Sequence, residues 1–202
     1  MRQQNVNTNL VSLNGKAIED PAVRKFERHL LGEILRPGEE RYEGARRVWN
    51  RMIDPRHPAL IVRCATATDV VRSVEFARGN EIAFAVPGGG HSLTVDSFCD
   101  GGTVIDLSGM KKVEVDSSRC VASADAGISV GDFDLATEAY GPAGVMGECS
   151  SVGIAGFTLG GELVLRLTHR DQEVSCGVSR YLIKQNTWSG GSGGERSFQG
   201  CD

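Results

Sequence analysis

A triple-glycine turn followed by a histidine constrains the fold of this chain more than any other feature. A predicted strand over residues 82–86 runs into Pro87 and then directly into Gly88-Gly89-Gly90-His91. Consecutive glycines adopt positive φ at little steric cost, and their backbone N–H groups can converge on an anion. The motif therefore indicates either a site for a phosphate-bearing cofactor, with a titratable nitrogen at its rim, or a tight turn with an exposed histidine.

Size, charge and cysteine pattern exclude several classes of protein. The 202 residues carry a net charge of −4, so we expect no nucleic-acid-binding surface. No apolar run approaches the roughly 20 residues of a membrane-spanning helix, and no apolar signal region follows Met1. The cysteines show no C-x-x-C spacing, which argues against a zinc site or a disulfide framework. We therefore expect a cytoplasmic protein without a metal site and without a membrane or nucleic-acid partner.

The spacing of apolar residues predicts an α+β fold after a flexible N-terminal arm over residues 1–19. Thr66 and Asp69 are spaced as in a capping box, and a similar helix start occurs at Ser129. Trp49 falls at helical spacing with apolar neighbours, so we expect it to lie in the core. The predicted helices cover residues 20–32, 39–52, 66–80 and 129–140, and the predicted strands cover residues 59–64, 82–86, 103–108, 113–115 and 120–124.

A second glycine-rich stretch follows the last predicted helix. Its glycines lie among apolar residues, which usually means that a neighbouring segment or a ligand approaches the backbone closely, so we expect it to be the partner of the first turn. The first turn follows the second strand of a β-α-β unit and opens no helix, which disfavours a Rossmann site. No Gly-Lys-Ser/Thr follows it to form a Walker loop. The glycines of the second stretch are Gly144, Gly147, Gly153, Gly156, Gly160 and Gly161.

Six short motifs also occur in a particular order along the chain. They lie at residues 42–50, 58–64, 69–71, 89–92, 104–108 and 152–161, and include Gly89-Gly90-His91-Ser92. In this order they resemble the FAD-linked oxidases of the vanillyl-alcohol oxidase superfamily, specifically the berberine-bridge-enzyme-like branch. The resemblance covers about residues 24–161, and its ordered motifs make it far more specific than a single glycine-rich turn.

The resemblance implies a PCMH-type FAD-binding domain over residues 20–161, built of two α/β subdomains of which the second is incomplete. FAD would lie between them, with its pyrophosphate held by backbone amides of the glycine loop. His91 matches the family's histidine that attaches to the flavin 8α-methyl carbon. Cys149 matches the cysteine that attaches to flavin C6 in bicovalent members, and its alternative role is that of a small buried hydrophobe. The implied cofactor-binding residues are Gly88, Gly89, Gly90, His91, Ser92, Cys149, Val152, Gly153, Gly156 and Thr158.

The resemblance also implies an activity. Intact members of this family are FAD-linked oxidoreductases that oxidise an alcohol, sugar or alkaloid-type carbon by hydride transfer to flavin, and O2 commonly reoxidises the flavin. The expected partners are therefore a small-molecule substrate and O2, and no catalytic acid or base is identified in this chain. Two alternatives stay open: a truncated, catalytically inactive FAD-binding remnant, and a glycine-rich α+β binding module without flavin.

The chain departs from the family's pattern in three respects. Pro87 stands where relatives commonly have arginine, which removes a backbone donor and a positive charge and should weaken pyrophosphate binding. From Glu162 the likeness stops, and residues 162–202 form a divergent tail for which a shifted reading frame after codon 161 and disorder are the hypotheses. Family members are also longer, so we expect the rest of the FAD domain and the substrate-binding sheet to be missing.

Overall fold

The first half of the chain builds a mixed sheet, and the second half adds a hairpin and further helices. The structure is a computed structural model that describes residues 10–50, 56–92, 98–119, 121–140 and 149–160. Its helices are α1 (Asp20–Glu27), α2 (Glu40–Ala45), α3 (Ala67–Gly79), α4 (Val130–Glu138) and α5 (Ile154–Gly160). Its strands are β1 (Glu33–Leu35), β2 (Leu60–Arg63), β3 (Phe84–Ala85), β4 (Thr103–Asp106), β5 (Val113–Asp116) and β6 (Val121–Ala124). None of the helices in these described residues is long and apolar enough to cross a membrane.

The four-stranded sheet has the order β1-β2-β4-β3. Strand β4 is parallel to both β2 and β3, whereas β1 pairs with β2 in the antiparallel direction. Helix α3 connects β2 to β3, and β4 then fills the position between them. Because parallel strands end at the same edge of a sheet, the glycine turn after β3 lies at the edge where β2 and β4 also end.

The central strands of the sheet are buried on both faces. Leu60 and Val62 pack against α1 and α3 on one face, and Ile61 packs against α2 on the other. All three side chains are fully buried. Successive side chains of a strand point to opposite faces, so a strand that is covered on both sides consists of an unbroken apolar run. This explains why the run at residues 59–64 correctly predicts β2.

Asp69 connects the start of α3 to a distant loop. Its position three residues after Thr66 forms the predicted capping box, which the structure confirms. The fully buried carboxylate also accepts hydrogen bonds from the backbone N–H groups of Leu31, Gly32, Ala65 and Thr66, at 2.9 to 3.3 Å. Burial acts to raise the pKa of this carboxyl group, but the four N–H donors outweigh burial and hold the pKa below its ordinary value. Asp69 therefore stays ionised inside the protein.

The second half of the chain is organised around α4 and α5. Strands β5 and β6 form the predicted antiparallel hairpin. The hydroxyl of Ser129 caps α4 by accepting from the N–H of Asp132, as predicted. Val130, Val152 and Phe157 then form a small buried cluster between α4 and α5. The described part of the chain therefore has two units, which agrees with the α+β class and the two expected subdomains.

The predicted helix over residues 20–32 is too long at its C-terminal end. Helix α1 ends at Glu27, and residues 33–35 form the edge strand β1, which the sequence did not predict. The chain leaves the helix because Leu31 and Gly32 donate their N–H groups to Asp69 instead of to helix carbonyls. A side chain at Gly32 would also overlap the carbonyl oxygen of Arg63.

The second predicted helix is likewise shorter than expected. Helix α2 ends at Ala45, whereas the sequence predicted a helix over residues 39–52, whose end lies outside the described residues. Glycine is a poor helix former, and Gly44 lies near the C-terminal end of α2. Beyond α2 the backbone N–H of Trp49 donates to the carbonyl of Gly90, at 3.0 Å, so this segment lies beside the glycine turn.

Part of the expected N-terminal arm packs on the sheet. Within residues 10–19, the side chain of Leu10 is fully buried in the core, and Val11 forms a β-bridge with Ala17. The N–H of Leu13 donates to the carbonyl of Glu81, at 2.7 Å. The remainder of the expected arm, residues 1–9, and the divergent tail, residues 162–202, lie outside the described residues.

Tyr42 provides a stability test of the packing of α2 on the sheet. Its side chain is 1% exposed, and its hydroxyl donates to the carbonyl of Pro58, at 2.7 Å. We expect Tyr42→Phe to lower the free energy of unfolding by about 1–2 kcal/mol, because a buried carbonyl loses its donor. Tyr140, which is 51% exposed, supplies the control Tyr140→Phe. Urea unfolding that gives the same change for both variants would contradict this role.

Candidate functional site

The glycine turn leaves the sheet at the end of β3. Gly89 and Gly90 have φ angles of 131° and 73°, a region that favours glycine, so the turn needs these residues. Within the described part of the chain, the N–H groups of Gly88, Gly89 and Gly90 donate no hydrogen bonds to the protein. Pro87 has no N–H to add. The turn therefore offers three backbone donors to a bound group.

The turn packs directly against the start of α5. A Cβ atom on Gly88 would lie 2.7 Å from the N atom of Gly156, and one on Gly89 would lie 2.6 Å from the N atom of Gly153. In the opposite direction, a Cβ atom on Gly153 would overlap the carbonyl oxygen of Gly88. This contact confirms the expectation that the two glycine-rich stretches are partners. It also explains why positions 88, 89 and 153 are glycine.

His91 meets the segment before α5 through a serine hydroxyl. The Nε2 atom of His91 lies 2.9 Å from the Oγ atom of Ser151, and the Sγ atom of Cys149 lies 3.3 Å from the same oxygen. His91 is half-buried, whereas Cys149 and Ser151 are exposed. The structure therefore brings the two predicted attachment residues together, and the alternative of Cys149 as a small buried hydrophobe is wrong.

Trp49 belongs to this site, and the prediction that it lies in the core is wrong. It is 62% exposed, and its indole stacks on the imidazole of His91 with 5.4 Å between ring centroids and 22° between planes. The backbone N–H of Trp49 donates to the carbonyl of Gly90. The helical spacing of Trp49 was misleading because α2 ends before it, and no local pattern in the sequence relates Trp49 to His91.

The remaining predicted site residues take different positions. Ser92 is exposed directly after His91, and Thr158 is half-buried on α5. The side chain of Val152 is 7% exposed and packs against Val130 and Phe157, so it serves the core and not the turn. In the described residues, the site thus consists of the glycine turn with His91, the segment 149–153, Gly156 and Trp49.

The hydrogen-bond donors and nucleophiles of this site fit the cofactor of one protein family. A glycine turn with three available N–H groups suits a phosphate anion, and a nearby imidazole and thiol are nucleophiles. A sequence model of the family described as FAD binding domain matches residues 58–171, which is more than half of the chain. The chain belongs to this family. The match includes both glycine-rich stretches. It extends to residue 171, whereas the sequence motifs predicted that the resemblance ends at Gly161.

Similar proteins share this FAD-binding domain. The chain is 36% identical over 136 residues to the FAD-linked oxidoreductase hasG of Aspergillus fumigatus, covering 67% of this chain and 29% of that one. The structure resembles 6-hydroxy-D-nicotine oxidase from Arthrobacter nicotinovorans, with a TM-score of 0.61, 30% identity and coverage of 63% and 28%. It also resembles BBE-like 1 from Physcomitrella patens, with a TM-score of 0.63, 26% identity and coverage of 68% and 30%.

These similarities establish the fold and the cofactor. The chain has the PCMH-type FAD-binding fold of the berberine-bridge-enzyme-like branch, and its cofactor is FAD. Two of its relatives are named as a FAD-linked oxidoreductase and as an (R)-6-hydroxynicotine oxidase. The chain spans 29% to 32% of the length of three curated relatives that it matches.

Proposed function

We propose that this chain holds FAD for an oxidoreductase that removes a hydride from a small organic substrate. The observation that carries this proposal is the contact of the His91 turn with residues 149–153, because it joins backbone donors and two nucleophiles in one site. When bound, FAD would supply the two-electron chemistry, and the protein would bind and orient it.

The backbone of the glycine turn would hold the pyrophosphate. The N–H groups of Gly88, Gly89 and Gly90 donate no hydrogen bonds to the described protein, and glycine leaves room for a close approach. Gly153 and Gly156 would support this backbone from the other side, since they pack against Gly88. Pro87 contributes neither an N–H nor a charge, so binding would depend on the remaining amides.

His91 would attach the flavin covalently, and Cys149 would form a second attachment. In each attachment a bond forms from the imidazole nitrogen or the sulfur to a flavin carbon, and that carbon and the nucleophile each give up a hydrogen. The cofactor would take up the two electrons released and pass them to O2, which would become hydrogen peroxide. Stacking on Trp49 would restrict the orientations of the half-buried imidazole, which supports such a reaction.

The substrate of the whole protein would be a small alcohol, sugar or alkaloid-type molecule. This proposal rests on the family resemblance and on the name of one similar structure, a 6-hydroxy-D-nicotine oxidase. O2 would act as the electron acceptor. In the described part of the chain, the site residues include no carboxylate that could serve as a base for the substrate, so we assign no catalytic residue.

Denaturation of the flavin-loaded chain tests the proposal. We expect the chain expressed with FAD to keep flavin fluorescence on a denaturing gel, and His91→Ala to lose most of it, because the imidazole nitrogen is the first nucleophile. His57→Ala is the control, since His57 is exposed and lies outside the site.

The possible outcomes separate the parts of the proposal. A chain that binds no FAD before denaturation contradicts the cofactor site. Flavin that binds but is released by acid from the unaltered chain contradicts covalent attachment alone. Attached flavin without O2 consumption on a panel of alcohols, sugars and alkaloids would favour the alternative of an inactive FAD-binding remnant.

A further inference from the structure

Hydrogen-bond contacts connect Cys149 through Ser151 to His91. Covalent attachment of the flavin does not by itself require this connection. We propose that Ser151 is a positioning residue whose hydroxyl passes the proton of the Cys149 thiol to the imidazole of His91. The two ends of this relay come from segments about 60 residues apart in sequence, so the fold and not local sequence brings them together. The use of the relay in flavin attachment rests on the proposed function, but the proton transfer itself does not.

The geometry allows one hydroxyl to serve both neighbours. A serine hydroxyl has one donor and two acceptor positions. Its oxygen lies 3.3 Å from the Cys149 sulfur and 2.9 Å from the His91 Nε2 atom, and both distances are within hydrogen-bonding range. Ser151 can therefore accept the S–H while it donates its own O–H to Nε2. When both protons move along these bonds, the products are a thiolate and an imidazolium, and no electrons are exchanged.

The surroundings favour this charged pair. A free imidazole and a free thiol titrate within about 2 pH units of each other, so modest stabilisation is enough to form a thiolate near neutral pH. The indole of Trp49 stacks on the His91 ring with centroids 5.4 Å apart, and an aromatic face within about 6 Å stabilises a cation. The stacking also holds the imidazole in the orientation that Ser151 needs.

Other charged groups on the neighbouring segments have partners of their own. Helix α4 packs on this segment through the N–H of Gly131, which donates to the carbonyl of Ser150, at 2.9 Å. On α4, the carboxylate of Asp132 pairs with Lys111, at 3.1 Å. Arg46, before Trp49, pairs with Glu43 at 2.6 Å. The other charged side chains on these segments are Asp134, Glu138 and Arg47, and all three are exposed.

The relay would prepare Cys149 for the second flavin attachment. A thiolate, and not a thiol, is the nucleophilic form of cysteine. With its proton on His91 or released from there to solvent, the sulfur would be ready to bond to a flavin carbon. That carbon would lose a proton, and the electron pair would pass through the flavin to O2. Without Ser151, the attachment at Cys149 should slow while the attachment at His91 continues.

The rate at which Cys149 is alkylated tests the relay without any flavin. Iodoacetamide would be applied to the flavin-free chain between pH 6 and pH 9, with the Cys149 peptide quantified by mass spectrometry so that other cysteines do not interfere. We expect Ser151→Ala and His91→Gln each to lower the rate at pH 7 about tenfold, which corresponds to one pKa unit. Ser151→Thr should restore the rate, and Ser108→Ala, which removes an exposed hydroxyl outside the site, should leave it unchanged.

The outcomes distinguish this inference from the proposed function. The expected rates in a chain that takes up no FAD would support the relay and contradict only the proposed function. Equal rates in the unaltered chain and in Ser151→Ala would overturn the relay, even if flavin attaches normally. The urea-unfolded chain provides the reference rate, and circular dichroism checks that each variant is folded. Loading with FAD should then give flavin peptides at His91 but few at Cys149 in Ser151→Ala.

Discussion

Replacing Asp69 with asparagine is expected to lower the free energy of unfolding by about 3 kcal/mol, because an amide cannot accept the hydrogen bonds that the carboxylate accepts. The carboxylate receives N–H groups from two segments of the chain, Leu31 and Gly32 on one side and Ala65 and Thr66 on the other. An amide keeps one oxygen and turns a donor towards the remaining N–H groups, which are then buried without a partner. Urea or thermal unfolding measures the loss.

Asp132 provides a matched control for this substitution. It has the same position in α4 as Asp69 has in α3, three residues after the capping residue. Its carboxylate is exposed and pairs with Lys111, so Asp132→Asn should change the free energy of unfolding by less than about 1 kcal/mol. Similar losses for the two variants would show that helix capping alone explains the effect, and would contradict the role of Asp69 as a link between segments.

The pH dependence of stability should follow from the same carboxylate. Its pKa in the folded protein lies below the ordinary value, because the backbone donors outweigh burial. The unfolded chain therefore binds a proton at higher pH than the folded chain does. The stabilisation is complete above the ordinary pKa of about 4 and is lost as the pH falls through the lowered one. In Asp69→Asn this part of the acid destabilisation should be absent.

Gly153→Ala is expected to disrupt the contact between the glycine turn and α5, and to weaken FAD binding at least tenfold. A methyl group there would overlap the carbonyl oxygen of Gly88, which belongs to the backbone and cannot rotate away. Overpacking of this kind costs about 1–3 kcal/mol, and here the strain falls on the turn that presents the N–H donors. Titration of the chain with FAD, monitored by flavin fluorescence, would measure the loss.

Gly156→Ala is the control, because it is expected to stabilise the protein and not to disrupt the contact with the glycine turn. A Cβ atom on Gly156 would lie 3.7 Å from Gly88, which is ordinary contact. Because Gly156 lies within α5, alanine should stabilise the helix by up to about 1 kcal/mol. Equal FAD affinity in the two variants would mean that the close approach of Gly153 to Gly88 does not shape the binding site.

Local sequence patterns predicted the elements whose stabilising contacts are local. The capping box at Thr66 and the cap at Ser129 depend on residues within a few positions, and both are confirmed. The unbroken apolar run of β2 is also visible locally, and the strand is confirmed. Strand β1 was missed because three residues carry almost no pattern, and their pairing with β2 depends on the tertiary fold. The link from Asp69 to Leu31 spans 38 residues and has no local signal.

The candidate site was predictable only as far as backbone constraints are visible in sequence. Glycine clusters indicated a close approach, and Gly88 does meet Gly153 and Gly156. Trp49 and Ser151 were not predicted as site residues, because their contacts with His91 join segments far apart in the chain. The assignment of His91 and Cys149 as attachment residues came from the family resemblance, and it stays a prediction until the flavin peptides are analysed.

The contact between the His91 turn and the segment 149–151 also bears on how the protein would unfold. Between these two points the chain runs through β4, the β5–β6 hairpin and α4. A flavin bonded to both His91 and Cys149 would close this stretch into a ring, as a disulfide does. Such a cross-link restricts the unfolded chain, and for a loop of about 60 residues the gain is about 4 kcal/mol. The cofactor would then stabilise the fold as well as supply redox chemistry, and its loss would destabilise the second half of the chain.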